Sequence, residues 1–550
     1  MDERNTVAHD MSGGHISLLY PTDESRTYHQ NRANLPHISA EVCRELGLTE
    51  LFSMKSAPLS DFFTEDEEVI RYRQAAFADV SEIPELKEAL LAVRPVLDDI
   101  CELRTLDGGE EQNDYLTGIM EIELYVSCLD TLSSRLLPVR DRIRSEAFGR
   151  LSDFVGELTS SDYYRELNKK LTALSARVRE IRSITVGVNL DARLSPTDAG
   201  VLSVNAEPFK SGRVLDKILR LSFRNDAFTT IAPLTPVGRG DGDNKREAMI
   251  GAFHGAIEDV FRSSVRGWRQ IVETYVLDST DFLLRLLPEI EFIARSAELI
   301  DRLRARPDCP LVFPTVAARS EHAFRAENLY NPRVALAIDG DIVKNDFAFD
   351  ERAGFYILTG PNRGGKSVVT VAVGAAQALF QLGLPVPASA AVLSVADGIF
   401  THFPEGADDT IDKGRLGEEC ARLKEIFDAS TPDSLILLDE SLSSTGAYEA
   451  SYIASEILTA FATLGCRGIF STHLHELAAA VSDINARVAA LGGVPVDTLV
   501  AGMEAGHRSF RIERKTPDGK SYARDIADRY GLSFDTLEAE IETKKKRARA

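Results

Sequence analysis

Tryptophan occurs once in the 550 residues, at Trp268, and cysteine only six times. Those six (Cys43, Cys101, Cys128, Cys309, Cys420, Cys466) are far apart and form no C-x-x-C pair, which argues against a zinc site or a disulfide framework. No apolar run reaches the roughly 18 residues that a spanning helix needs, so no membrane contact is expected. The opening MDERNTVAHDMSGGH has no basic-then-apolar pattern, so no signal peptide is expected and a reducing cytoplasm is the expected compartment. Positive charge is also scarce. Lys and Arg number 63 against 85 Asp and Glu, a net charge of −22. That excludes a protein that coats nucleic acid through bulk charge, and leaves open a local basic patch.

What remains is ordinary globular composition, enough for roughly two to four domains. Residues 1–60 carry one helix candidate, at 39–46, and their fold is otherwise uncertain. From residue 61 the text is helical. Pro84 stands at a helix start, with Leu86, Leu90, Leu91 and Val96 at helical spacing. A loop at 106–114 is followed by a predicted long helical pair over about 115–184. Its second half carries Leu167, Leu171, Leu174, Val178 and Ile181 as a short a/d seam, which reads as core packing. Near residue 184 the apolar period changes from helical to alternating, and short strands (ITVGVNL, VLSV, VLDKILRLSF, FTTIA) are expected within 185–245. Residues 205–246 hold eight Lys/Arg and five Asp/Glu, 8 − 5 = +3, against the acidic trend. Helices resume over 245–305, which suggests a small β-rich tip on a helical lever. Pro307, Pro310 and Pro314 then punctuate a boundary. The expected partition is 1–60, a helical region 61–315, and an α/β domain 316–550. The tail at 544–549 carries five basic residues and reads as a solvated end.

The chemistry concentrates in the last part. Residues 354–367 read GFYILTGPNRGGKS, an apolar strand running into G-x-x-x-x-G-K-S with Gly360, Gly365, Lys366 and Ser367 in the fixed places. Small residues let backbone N–H groups wrap a phosphate, and Lys366 can reach the outer phosphates. Ser367 can offer a hydroxyl to Mg²⁺, and the following helix, expected over 368–382, points its positive end at the anion. About seventy residues on, SLILLDES places Asp439 and Glu440 at the end of an apolar strand. Asp439 is suited to the Mg²⁺ shell and Glu440 to polarising a water. A third strand, CRGIFSTHLHEL, delivers His473 past its end, within reach of a γ-phosphate. His475 reads as a surface residue at a helix start.

TGPNRGGKS, LPVPA at 384–388, LILLDES followed by SLSSTGAYEA, and STHLHEL together resemble the ATPase domain of the MutS family of DNA mismatch-repair proteins. NLYNP (328–332) and VKND (343–346) extend the resemblance upstream, and DGKSYARDIADRYGLS (518–533) is similar to the helical end through which such domains dimerise. The segment around VIRYRQ is similar to the family's lever and clamp. The resemblance covers roughly 60–550 and implies an ABC-type P-loop ATPase using ATP and Mg²⁺. By motif, Gly360, Pro361, Asn362, Arg363, Gly364, Gly365, Lys366, Ser367 and Val368 would line the phosphates, and Ser367 and Asp439 would hold magnesium. Glu440 and His473 would serve hydrolysis. It further implies a homodimer that couples nucleotide state to double-stranded DNA, mismatched or branched, in repair or recombination. The departures are specific. The Phe-x-Glu wedge segment, its usual companion domains and a nuclease-like extension are not found. The cross-subunit segment reads KGRLGEE at 413–419, keeping Gly414 and Arg415 but with Leu416-Gly417 in place of Ser-Thr, and Leu442-Ser443-Ser444-Thr445 follows Glu440 where Gly-Arg-Gly-Thr is usual. The alternative reading is an ATP-gated scaffold whose levers grasp a protein, and the acidity favours it. A chromosome-maintenance ATPase is disfavoured because no long coiled coil separates the P-loop from the acidic strand.

Overall fold

A computed structural model describes residues 16–106, 115–179, 183–193, 196–205, 235–236, 281–361, 363–403, 415–504, 507–516 and 530–547. The chain divides into two compact units. The first takes in residues 88–142 and 150–287, the second residues 17–87, 143–149 and 288–550.

The first unit is helical with one small sheet. In place of the long helical pair expected over 115–184 there are three helices, Tyr115–Leu136, Glu146–Ser160 and Asp162–Arg179, with a 3-10 turn at Leu137–Arg142. Local chemistry makes the breaks. Pro138 falls where the first helix ends, and Ser161 Oγ accepts the N–H of Tyr164 at 3.1 Å, starting the third helix afresh. Leu167 and Leu171 of the expected seam are buried; the side chains of Leu174 and Val178, and Ile181 altogether, lie outside the described residues. Tyr164 donates to Asp130 Oδ1 at 2.6 Å, and Phe154 meets Phe282 edge-on at 4.9 Å. Strands β1 (Ser183–Leu190) and β2 (Pro196–Asn205) pair antiparallel with two register shifts, and β3 (Thr235–Pro236) adds to β2. The expected strands at 214–223 and 228–232, and the helical stretch holding Trp268, lie outside the described residues.

The second unit is built on two sheets. A four-stranded sheet runs β4-β8-β5-β6, from β4 (Thr315–Val316), β5 (Phe324–Leu329), β6 (Asn345–Phe349) and β8 (Ala390–Leu393). A six-stranded sheet runs β13-β12-β7-β11-β10-β9, from β7 (Phe355–Thr359), β9 (Ile399–His402), β10 (Leu435–Asp439), β11 (Arg467–Ser471), β12 (Val496–Glu504) and β13 (His507–Arg514). From β12 to β9 every neighbouring pair is parallel, and β13 closes the edge antiparallel. All five residues of β7, β10 and β11 are buried, as central parallel strands covered on both faces require. Tyr356 of β7 sits against Phe347 and Phe349 of β6, at 5.7 and 5.9 Å between rings, and joins the two sheets.

Residues 17–64 are woven into this unit. The helix expected at 39–46 is Ala40–Glu45, capped by Ser39, and His37 bridges in parallel to Gly398 beside β9. Glu289, buried, accepts from Ser17 Oγ at 2.8 Å and from the Leu18 N–H at 2.6 Å, and pairs with Arg26 at 3.1 Å. Arg73, fully buried in helix Glu67–Glu82, donates to the carbonyls of Leu19 and Phe62 and lies over the Tyr20 ring. Helix Lys366–Gln381 ends against this cluster: the Thr64 N–H donates to Gln381 O at 3.1 Å, and Gln381 Nε2 donates back to Thr64 O at 3.1 Å. Gly383 follows with φ +80, and a Cβ there would stand 2.4 Å from Arg73 Cβ.

Gly383→Ala therefore combines a left-handed backbone with a collision against a buried arginine, and should cost about 2–4 kcal/mol. Gly417→Ala, on helix Arg415–Ala429 with open space at the same atom, should be neutral or gain up to about 1 kcal/mol. Denaturant titration of the two variants checks this; equal midpoints would overturn the packing at Gly383.

Candidate functional site

Strand β7 hands the chain to a loop that only small residues can make. Gly360 has φ +140, and a Cβ on it would lie 2.7 Å from Ala501 Cβ; one on Gly364 would lie 2.8 Å from the Pro361 carbonyl oxygen. Arg363 is left-handed at φ +59 and exposed, and Gly365 at φ +94 opens helix Lys366–Gln381 without any side-chain cap. An uncapped start leaves first-turn N–H groups for an anion. The helix begins two residues before the expected 368 and includes Lys366 itself. Asn362 lies outside the described residues.

Lys366 is buried, 3% exposed, and donates to the carbonyls of Gly360 and Pro361 at 3.2 and 3.4 Å. Burial lowers its pKa, and the charges of Glu440 and Asp439 hold it up. Its Nζ also stands 3.4 Å from His473 Nδ1, while His473 Nε2 stands 2.7 Å from Glu440 Oε1. An ammonium has donors only, so we assign Nδ1 as the acceptor and place the ring proton on Nε2, donating to Glu440. Lys366, His473 and Glu440 thus form one hydrogen-bonded chain across the ends of β7, β11 and β10. Asp439, at the end of β10, is buried, and burial raises its pKa against the opposing hydroxyls of Ser367 and Ser471. Those hydroxyls temper its charge from short of full hydrogen-bond geometry, for Asp439 Oδ1 and Ser471 Oγ are both buried with no hydrogen-bond partner among the described residues. A buried carboxylate oxygen without a donor, beside a serine hydroxyl, is a donor set that suits Mg²⁺ completed by phosphate and water. Among the described residues no cluster of three or more His, Cys, Asp or Glu offers a metal cage of its own.

A cavity of about 410 Å³ opens over this chain and is lined by Gly364, Gly365, Lys366, Ser367, Val368 and Glu440 at one end. Away from the loop its lining is largely apolar, with Val334, Ile338, Ile342 and Val343 beside Asp341, while Phe510 packs against Gly365. Two asparagines frame it. Asn331 caps helix Pro332–Ala337 and donates to Val368 O, and Asn345 ties β6 to β13 by donating to Phe510 O and accepting from the Ile512 N–H. The sequence motifs drew in Asn331 and Asn345 only as parts of NLYNP and VKND; Phe510 carried no signal beyond its aromatic character. His475 is exposed at the start of helix His475–Ala479, as expected.

No motif pointed to His402 either. At the end of β9, with its Cα opposite Leu438, it is 6% exposed and places Nδ1 2.7 Å from Ser441 Oγ. Burial, reinforced by the charge of Arg422, pushes its pKa down to about 4. The unfolded chain takes up that proton near the ordinary value of 6.5 and the folded chain does not, so stability present above pH 6.5 should be lost as pH falls from about 6.5 to about 4, by about 3 kcal/mol in all. Stability measured against pH for the parent chain and His402→Gln should show the extra slope in the parent alone; parallel curves would contradict the burial of a neutral imidazole.

Two family models match the chain: "MutS domain V" over residues 356–499 and "MutS2 N-terminal domain" over residues 65–306. The DNA mismatch repair protein MutS of Prochlorococcus marinus (strain MIT 9301) is 34% identical over 170 residues, 30% of this chain and 19% of that protein. Endonuclease MutS2 of Thermus thermophilus is 29% identical over 197 residues, 36% of this chain and 25% of that protein. The DNA mismatch repair protein MutS of Staphylococcus epidermidis is 28% identical over 235 residues, 42% of this chain and 26% of that protein. The matches thus span about a quarter or less of these relatives' own length. The α/β part of the chain is thus similar to domain V of MutS, and its helical part to the N-terminal domain of MutS2.

Proposed function

We propose that this chain binds ATP with Mg²⁺, hydrolyses it, and couples nucleotide state to double-stranded DNA, mismatched or branched, as a homodimer serving repair or recombination. The observation that carries the reading is the chain Lys366–His473–Glu440 laid across three parallel strand ends beside the donorless Asp439 Oδ1. On this reading the apolar end of the cavity takes the base and the 360–368 loop, Asn362 included, takes the phosphates. Lys366, which donates to its own loop carbonyls, turns to the β- and γ-phosphates when they arrive. Ser367 and Asp439 hold Mg²⁺, which when bound neutralises charge on the phosphate oxygens. Glu440 accepts a hydrogen bond from the attacking water, whose oxygen joins the γ-phosphorus as the bond to the β–γ bridging oxygen breaks, releasing ADP and phosphate. His473, donating to Glu440 from Nε2, fixes that carboxylate and reports on the γ-phosphate. The wider arrangement we propose is an N-terminal segment (1–60), a helical lever with its β-rich tip near 185–245 (61–315), and the ATPase domain with its dimerising end (316–550). No helix among the described residues is long and apolar enough to cross a membrane.

Glu440→Gln should retain ATP binding and lose hydrolysis at least about tenfold, since one lost acceptor at such a site commonly costs that much. Unchanged turnover would remove Glu440 from this role. The DNA limb is tested by ATP turnover with homoduplex, mismatched and branched DNA at two salt concentrations. A response to DNA that fades with salt, as released counterions demand, is the expected result. Indifference to every DNA would favour the second reading, an ATP-gated scaffold for a protein partner, which the net charge of −22 supports.

A further inference from the structure

Two left-handed residues flank one buried hydroxyl where β10 ends. Glu440 has φ +48 and Leu442 has φ +66, and neither is glycine. Such conformations cost on the order of 1–3 kcal/mol each and persist only where neighbours over-determine them. Three contacts do so here. The Glu440 N–H donates to Ser471 O at 2.8 Å, carrying the β10–β11 ladder one residue further. Leu442 is sunk in the core at 1% exposure. Between them Ser441, 4% exposed, meets His402 twice: Oγ donates to the His402 carbonyl at 3.3 Å and lies 2.7 Å from His402 Nδ1. We assign the hydroxyl proton to the carbonyl and the ring hydrogen to Nδ1, which lets the hydroxyl accept from the ring and closes the pair into a small ring of two bonds. The strained turn is therefore bolted to the neighbouring strand β9 through a side chain that lines no part of the cavity, while Glu440 does line it.

We propose that His402 is a positioning residue for hydrolysis: through Ser441 it holds the left-handed turn that aims the Glu440 carboxylate at His473 and into the cavity. This deepens the ATPase reading and rests on it. If Ser441 is released, Glu440 can relax toward negative φ, and its carboxylate swings away from the 2.7 Å contact with His473 Nε2. Displacement of a reacting group by about an ångström is enough to cost up to about a hundredfold in rate, with little effect on a nucleotide held by the loop and the apolar end of the cavity.

The experiment compares the parent chain with His402→Ala, His402→Asn, Ser441→Ala and the double variant, measuring kcat and, separately, ATP affinity by equilibrium binding. His402→Ala and Ser441→Ala should each lower kcat by about ten- to a hundredfold while the ATP dissociation constant stays within about twofold. His402→Asn, whose amide can occupy the place of Nδ1, should recover most of the loss. The double variant should be no worse than either single one, because both remove one interaction. Ser441→Ala, which deletes a single oxygen, carries the test if His402→Ala does not fold. Undiminished kcat in Ser441→Ala or in folded His402→Ala overturns the proposal, and so does an equal loss of affinity and kcat that His402→Asn fails to rescue. A parent chain that turns over no ATP fells the ATPase reading and this proposal together, whereas parent turnover beside unimpaired variants fells only the role of His402.

Discussion

Burying an ammonium at the start of a helix and a carboxylate at the end of β10 is unfavourable unless something compensates, and the second unit is arranged around that cost. Lys366 and Asp439 both lie under the surface, and burial pushes each toward its neutral form. They are not paired directly. Lys366 directs its protons to its own loop and to His473; Asp439 keeps one oxygen with no donor among the described residues. A site prepared in this way has electrostatic demand left over, a cation short of anions and an anion short of cations, and a magnesium-bound polyphosphate meets both demands at once.

The parts of this site that the sequence made legible are those where backbone geometry restricts residue type. Gly360, Gly364 and Gly365 are where a Cβ or a negative φ would not fit, and the apolar runs before Thr359, Asp439 and Ser471 are strands buried on both faces. These are local constraints written at fixed spacing. What stayed hidden depends on register between distant segments. His402 matters because β9 stops opposite Leu438, and Ser441 follows three residues later; neither fact is carried by IFTHF or DESLS alone. Phe510 comes to the cavity on a strand that pairs antiparallel at the sheet edge, and Asn345 reaches it across two sheets. The helical region was misjudged for a related reason. An apolar period persists through Leu137–Arg142, and only the caps at Ser145 and Ser161 reveal that three helices, not two, share it.

Residues 17–64 were the least readable stretch and fall outside both matched family models, yet they supply partners to some of the most deeply buried polar groups of the second unit. Glu289, Arg73 and Gln381 each satisfy part of their hydrogen-bonding capacity on this segment. The far end of the helix that starts at Lys366 is thereby tied to helix Glu67–Glu82 through groups that tolerate little movement, since each lost bond would leave a buried donor or acceptor unpaired.

That weave also sets a schedule for the growing chain. Ser17 bonds to Glu289 across 272 residues of sequence, and Thr64 accepts from Gln381 across 317. At ~5–20 residues per second, residues 17–64 wait ~15–60 s for Gln381 to be made, the helical unit being completed in between. Throughout that interval Leu18, Leu19, Phe52, Phe62 and Phe63, all buried in the finished fold, stand without their final surroundings. Within the second unit the segment made first is locked last, and its shelter in the cell is a matter of timing and chaperones before it is one of stability.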